Sequence, residues 1–191
     1  MSNREKIKKL TYTALFTSLI IVGGYIAIPI PMSPSPVAFA DMFVIMAGLY
    51  LGLRLGLVCV GAYIILGALG APVFAGFTGG LGILLSPRGG FIFGFLVTAG
   101  FCGLVSRGKQ LSFLKTLITV TTATIILFAI GVSAARIFFM ESWSAAVTAM
   151  LLPFIPGNVF KIVVIMLLEK SLRPHLPFNY SVGILKTKKE P

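Results

Sequence analysis

Long apolar runs alternate with short polar or proline-rich interruptions along this chain, and the lengths of the runs define its elements. A helix needs about 20 apolar residues to cross a bilayer, with about 17 as the lower bound. The first run extends from about Ile7 to Ile28 and stops at "PIPMSPSP", whose four prolines forbid a helix. The stretch from Val37 to Leu69 is too long for one span and barely enough for two short ones; "LGLRLG" is the natural break, with Arg54 at the turn. Next comes "GAPVFAGFTGGLGILLSPRGG", whose seven glycines and two prolines predict a loop. Irregular backbone near a membrane is tolerated only when it packs in protein or lines a cavity. A fourth span runs from Gly90 to about Val105, "SRGKQLSF" connects, and a fifth runs from about Leu114 to Ala135. After a polar stretch with Glu141 and Trp143, the sixth begins near Pro156 and ends near Leu172. The pattern therefore predicts an all-α integral membrane protein of six transmembrane helices. Its Gly-rich loop lies on the outer side between helices 3 and 4, and residues 1–191 form a single domain.

Composition supports a lipid environment for these runs. Apolar residues make up 57% of the 191, charged residues 11%, and the mean hydropathy is +1.01. A soluble domain carries about 25% charged residues, so this chain cannot cover itself with polar groups. The net charge of +11 raises nucleic acid as a partner, but the charges sit at the termini and in connectors, with no basic face interleaved with aromatics. Thirteen of the 16 Lys and Arg residues fall on one side of the predicted topology, leaving Arg88, Arg136 and Lys161 on the other. By the positive-inside rule the termini are cytoplasmic, in a multi-pass protein of the cell membrane. The run after "MSNREKIKK" is too long for a signal-peptide core and lacks an A-x-A-like cleavage site, so it is expected to be retained. Cys59 and Cys102 both lie in apolar runs and read as buried hydrophobic thiols.

Several chemistries are excluded. The only histidine, His175, lies in "RPHLP" beyond the last span. No two of the five acids are close enough in sequence to form a dyad, and no His, Cys, Asp and Glu cluster as metal ligands do. The glycine-rich stretch lacks the Gly-Lys-Ser/Thr ending of a phosphate loop, and no ATPase signature occurs. No cofactor is expected, and energy for uphill movement would have to come from a partner.

What remains is a pocket. Asn158 and Lys161 stand three residues apart at the start of the sixth span and share a helical face. A cation within a span costs roughly 2.5 to 3.5 kcal/mol on insertion scales and usually faces a cavity or the bundle interior. Two readings stand for each residue: Lys161 contacts a ligand or snorkels to the headgroups, and Asn158 joins it or caps the helix. Arg88, between Pro87 and Gly89, offers a guanidinium to a carboxylate or is a solvent-facing loop charge. Arg136 is better read as an ion pair with nearby Glu141. Asp41 is a pocket group or a polar cap. Phe74, Phe77, Phe91 and Phe93 bracket the glycine loop, as interfacial aromatics or as walls of an apolar site. Gly48, Gly52 and Gly56 are spaced by four, as are Gly90 and Gly94, and Ala14 and Ser18 on the first helix; such spacing permits close helix approach, although glycine is common in membrane helices anyway.

Three blocks, "IPIPMSPSPVAFADMFVIMAGLYLGLRLG", "LGALGAPVFAGFTGGLGILLSPRGGFIFGF" and "PFIPGNVFK", together resemble the BioY family. Its members are biotin-binding substrate-capture (S) components of energy-coupling factor (ECF) transporters. The resemblance covers nearly the whole chain. It implies a six-helix protein that captures vitamin from outside, with Phe39, Asp41, Phe74, Thr78, Gly79, Arg88, Phe91, Asn158 and Lys161 around the ligand. It also implies a transmembrane coupling protein and two cytosolic ATPases as partners, docked through a small-residue stripe such as Ala14 and Ser18. Three departures fall on the ligand side. Asn158 stands where the family usually has aspartate, Arg88 where it usually has threonine, and Phe39, Ala40 and Asp41 replace a Leu-Gln-Thr-like stretch. Biotin suits such a pocket, with an apolar bicycle and chain, a ureido group that donates and accepts, and a carboxylate tail.

The leading expectation is thus a high-affinity biotin-capture subunit. The alternatives are an S component for a different small carboxylated molecule and a solitary biotin transporter. An intramembrane enzyme lacks its base and metal ligands, and a passive channel lacks a recurring ring of polar residues.

Overall fold

The computed structural model describes residues 3–29, 36–107 and 111–172. Lys109, Arg173, His175 and the C-terminal lysines lie outside them. Helix α1 (Asn3–Tyr25) leads through a two-residue antiparallel ladder, β1 (Ala27–Ile28) with β2 (Val37–Ala38), into α2 (Ala40–Ala68). The glycine-rich segment follows and contains one short helix, α3 (Leu81–Leu84). Helices α4 (Gly89–Ser106) and α5 (Phe113–Phe138) come next. The polar stretch expected as a plain connector carries α6 (Trp143–Met150) and a 3-10 turn (Leu152–Phe154), before α7 (Ile155–Leu172). Ser142 explains the extra helix: it caps α6, its Oγ accepting from Ala145 N at 3.2 Å.

Four helical stretches among the described residues are long and apolar enough to cross a membrane: Ala40–Ala68, Gly89–Ser106, Phe113–Phe138 and Trp143–Ser171, the last containing α6, the turn and α7. In the latter two only 39% and 28% of the apolar window is buried within the molecule. Their remaining apolar faces need lipid, and the protein is a multi-pass membrane protein. Helix α1 is not among the four; Lys6, Lys8 and Lys9 occupy its N-terminal part.

Helix α2 is a hairpin of two limbs. Gly52 lies at φ 74°, ψ −176°, outside the helical region, and only glycine adopts that φ with ease. A Cβ built on Gly56 would stand 3.1 Å from Gly48 Cα, whereas residues eight apart in an unbroken helix are separated by about 12 Å. Limbs 40–51 and 53–68 therefore fold back on each other, with the break inside "LGLRLG". The four-residue glycine spacing falls on real contacts. A Cβ on Gly48 would meet Ala99 O at 2.5 Å and Cys102 Cβ at 2.7 Å on α4, and one on Gly94 would meet Leu127 Cδ1 of α5 at 3.0 Å. Thr17 Oγ1 on α1 donates to Cys59 O at 3.3 Å, joining α1 to the second limb.

This packing gives the bundle two unlike ends. At one, Gly103 of α4 backs onto Leu53 beside the hairpin turn, so Arg54 and Arg107 gather there, on the side where α1 begins. At the other, Phe39 N donates to Gly23 O at 2.9 Å, and a Cβ on Gly24 would meet Val73 O at 3.2 Å. The starts of α2, α4 and α7 and the glycine-rich segment converge here, around a cavity.

Candidate ligand-binding site

The cavity encloses ≈ 630 Å³ of empty space, its open mouth included. Its walls are largely apolar and aromatic. Tyr63 comes from the second limb of α2, Phe74 from the glycine-rich segment, Phe91 and Phe95 from α4, Phe128 from α5, and Phe154 from the turn before α7. Their rings support one another: Tyr63 meets Phe74 edge-on with centroids 5.3 Å apart, and Phe91 meets Phe128 at 5.4 Å and Phe154 at 6.5 Å. Such ring pairs contribute about 0.5–1.5 kcal/mol beyond their burial and hold the walls in place.

Three residues of charged type line this apolar space: Asp41, Lys161 and Arg88. Lys161 is 4% exposed and does not snorkel. Its Nζ donates to Asp41 Oδ2 at 2.6 Å and to Ala38 O at 3.1 Å, so one ammonium ties α7, α2 and β2 together. Asp41 is held from its own helix, Oδ1 accepting from Met42 N at 2.9 Å. Of the two places the sequence left open for it, Asp41 lines the cavity; the N-cap position of α2 is Phe39, with no side-chain cap bond. A buried pair is tolerable when its partners meet closely and their remaining donors and acceptors are used. Here Lys161 and Asp41 each use a further one on the backbone. Arg88 is half-buried just before α4, its backbone N donating to Ser86 Oγ at 3.3 Å.

Asn158 departs from its expected place. It is 8% exposed, but its Nδ2 donates to Phe154 O at 2.8 Å, one turn back on the chain, and it is not among the cavity-lining residues. This bond uses one of its two amide N–H donors. Arg136 likewise does not pair with Glu141. Its Nη1 donates to Met140 O at 3.0 Å.

The glycine-rich segment supplies a wall through local geometry. Phe74 N donates to Thr78 O at 2.8 Å and Thr78 N to Phe74 O at 3.3 Å, closing a small loop in which Gly76 and Phe77 have φ of 75° and 58°. Phe74 and Thr78 line the cavity. Phe77 turns outward, 65% exposed, and stacks on Tyr25 at 4.3 Å. Phe93 is also exposed. Gly79 packs so closely on the same segment that a Cβ there would collide with Ala71 O, and it is not among the cavity-lining residues. Phe39 stands behind the site, edge-on to Phe160 at 6.3 Å. Ala14 and Ser18 are far from it, on the exposed face of α1, where Ser18 Oγ donates to Ala14 O at 2.9 Å.

The geometry thus brings together Asp41, Phe74, Thr78, Arg88, Phe91 and Lys161, and does not place Phe39, Gly79 or Asn158 in the cavity lining. Sequence reasoning passed over Tyr63, Phe95, Phe128 and Phe154. All four sit in stretches dominated by apolar residues, so no periodicity marks the face that meets the cavity.

Comparison with known proteins agrees along the chain's length. Residues 1–178 match the BioY family. The chain is 34% identical over 167 residues to the biotin transporter BioY of Thermotoga maritima, covering 87% of this chain and 96% of that one. It is 33% identical over 181 residues to the biotin transporter BioY of Lactococcus lactis subsp. cremoris, covering 91% and 94%. A crystal structure of the S-component for biotin from an ECF-type ABC transporter superposes with a TM-score of 0.85 at 29% identity, over 93% of this chain and 97% of that one.

Proposed function

The chain belongs to the BioY family, and from that premise we propose that it is the biotin-capture subunit of an ECF-type importer. The observation that carries the reading is the aromatic cavity with the Lys161–Asp41 pair in its wall. A ureido group offers two N–H donors and one carbonyl acceptor. Asp41 supplies an acceptor and Lys161 a donor, fixed against each other at 2.6 Å, while the rings take the bicycle and the apolar chain. In this reading the urea is met by Asp41 rather than by Asn158, whose Nδ2 donates to Phe154 O.

Six spans follow if the two limbs of α2 each cross the membrane and α1 crosses despite its lysines. The glycine-rich segment then lies outside, between the third and fourth. The basic end, with Arg54, Arg107 and Lys170, is cytoplasmic by the positive-inside rule, as are both termini, and the cavity opens outward. The chain carries no ATPase signature, so a transmembrane coupling protein and two cytosolic ATPases energise it, with Ala14 and Ser18 exposed as the docking stripe on α1.

A second reading has specific support. Asp41, Arg88 and Asn158 all differ from the family's usual residues, which favours a different small carboxylated ligand in the same cavity. Calorimetry of the purified chain against biotin and a panel of carboxylated vitamins separates the two. Binding of biotin in preference to the panel supports the first, and binding of another member with none of biotin overturns it.

A further inference from the structure

We propose that the chain binds a phospholipid outside the cavity, at the corner between α5 and α6, where Arg136 takes the phosphate of a lipid whose acyl chains lie along α5. The inference rests on the bundle crossing a membrane and is independent of what fills the cavity. Helix α5 buries only 39% of its apolar window within the molecule. Its exposed positions recur at helical spacing, with Ile118, Thr121, Ile125 and Ala129 open to the surroundings, and the same stripe climbs through half-buried Ser133 to Arg136. Ile125 stands at the middle of this 26-residue helix. From there to Arg136 is about 16 Å of helix, close to half of the roughly 30 Å hydrocarbon layer. A lipid lying on that stripe with its chain ends beside Ile125 therefore brings its phosphate to the level of Arg136. In the orientation proposed above, that level is the outer leaflet.

Arg136 suits an anion. It is half-buried in the last turn of α5 and is not among the cavity-lining residues. Its Nη1 bond goes to a carbonyl, Met140 O, which orients the guanidinium without neutralising it. Its Nε is enclosed by the protein and has no hydrogen-bond partner, so water does not solvate that side of the charge. Among the described residues it makes no ion pair. A partly desolvated cation gains more from a counter-ion than a fully hydrated one, because the surrounding dielectric is lower. The open edge of its planar fork matches phosphate oxygens. Beside it Phe138, Phe139 and Trp143 are exposed, as rings at the headgroup level of a bilayer are. Glu141 is exposed, where water and salt screen its repulsion of an anion. Behind the corner, Ala135, Ala146 and Met150 pack with Phe128 and Phe154, two of the rings that wall the cavity. A lipid held at Arg136 thus braces that wall from outside.

Trp143 is the chain's single tryptophan and follows Met140 by three residues, so its fluorescence reports on this corner. The test places the purified full chain in bilayers of equal parts phosphatidylglycerol and monoglucosyldiacylglycerol, which has no phosphate. Bromine on the acyl chains of one lipid or the other quenches Trp143, and the ratio of the two quenching efficiencies gives the local preference. The wild type is expected to prefer the phospholipid by about 2- to 5-fold, as a partly exposed charge contact implies. Arg136→Gln removes the preference, and Arg136→Lys keeps it in reduced form, which a misfolded corner would not. Glu141→Gln leaves the preference intact or raises it. No preference in the wild type, or one that survives Arg136→Gln, overturns the proposal. So does a preference abolished by millimolar inorganic phosphate, which would make Arg136 a site for the free anion rather than for a lipid.

Discussion

Lys161 and Asp41 stabilise the bundle only as a pair. Removing one partner strands a buried charge, at a cost of about 3–5 kcal/mol, whereas replacing both with apolar groups is often nearly neutral. Lys161→Met and Asp41→Asn are each expected to lower the melting temperature in detergent, and Asp41→Leu combined with Lys161→Met to recover most of the loss. Strictly additive melting shifts would mean that the pair carries no coupling. Asn158→Ala is expected to change ligand affinity less than about threefold, since Asn158 is not in the cavity lining and its bond to Phe154 O is of a kind worth about 1 kcal/mol to stability. A larger loss of affinity at unchanged melting would return Asn158 to the ligand space. The lysine was legible in the sequence because a cation within an apolar run demands a reason. Its partner was not, because Asp41 lies 120 residues away and no local pattern links them. Asn158 shows a related gap: spacing tells which face a side chain starts from, not that one of its donors goes to Phe154 O on its own chain.

At the scale of elements, the hairpin in α2 was readable and its neighbours less so. A run too long for one span, interrupted by "LGLRLG", forces a break, and glycine at a four-residue spacing tells where two limbs can touch. Gly52→Ala is expected to destabilise strongly, because φ of 74° with ψ of −176° is a conformation that L-residues adopt only under strain. Gly61→Ala is the control on the same helix. A Cβ there meets nothing within 4 Å, so the change should be neutral or stabilising by up to about 1 kcal/mol through helix propensity. Thermal unfolding of both variants checks the pair, and equal stability would refute the hairpin. Gly67→Ala links the element to the site: its Cβ would collide with the Phe74 ring, pushing that ring from the cavity wall and weakening binding with little loss of fold. Helix α6 and the β1–β2 ladder escaped the reading of apolar runs, since one is short and amphipathic and the other only two residues per strand.

The whole molecule is organised by the contrast between its ends, one bearing Arg54 and Arg107 near the hairpin turn, the other bearing the cavity. That contrast makes the topology testable. A cysteine introduced at position 110 should be labelled by impermeant reagent only from the cytoplasmic side; labelling from outside intact cells would invert the orientation. Docking is tested by replacing both Ala14 and Ser18 with tryptophan, which should abolish uptake while preserving ligand binding, because both residues face outward from α1. Equal loss of binding would make the stripe an internal packing feature. Underlying both is the claim that this cavity captures biotin through the paired charges in its wall. Calorimetric titration of the purified full chain with biotin, alongside Lys161→Met at matched folding, tests it most directly. The account predicts saturable binding of one biotin per chain by the wild type and affinity lower by about 10- to 150-fold in the variant, the worth of a hydrogen bond to a charged group. Unchanged affinity in folded Lys161→Met, or no biotin binding by the wild type, would contradict it.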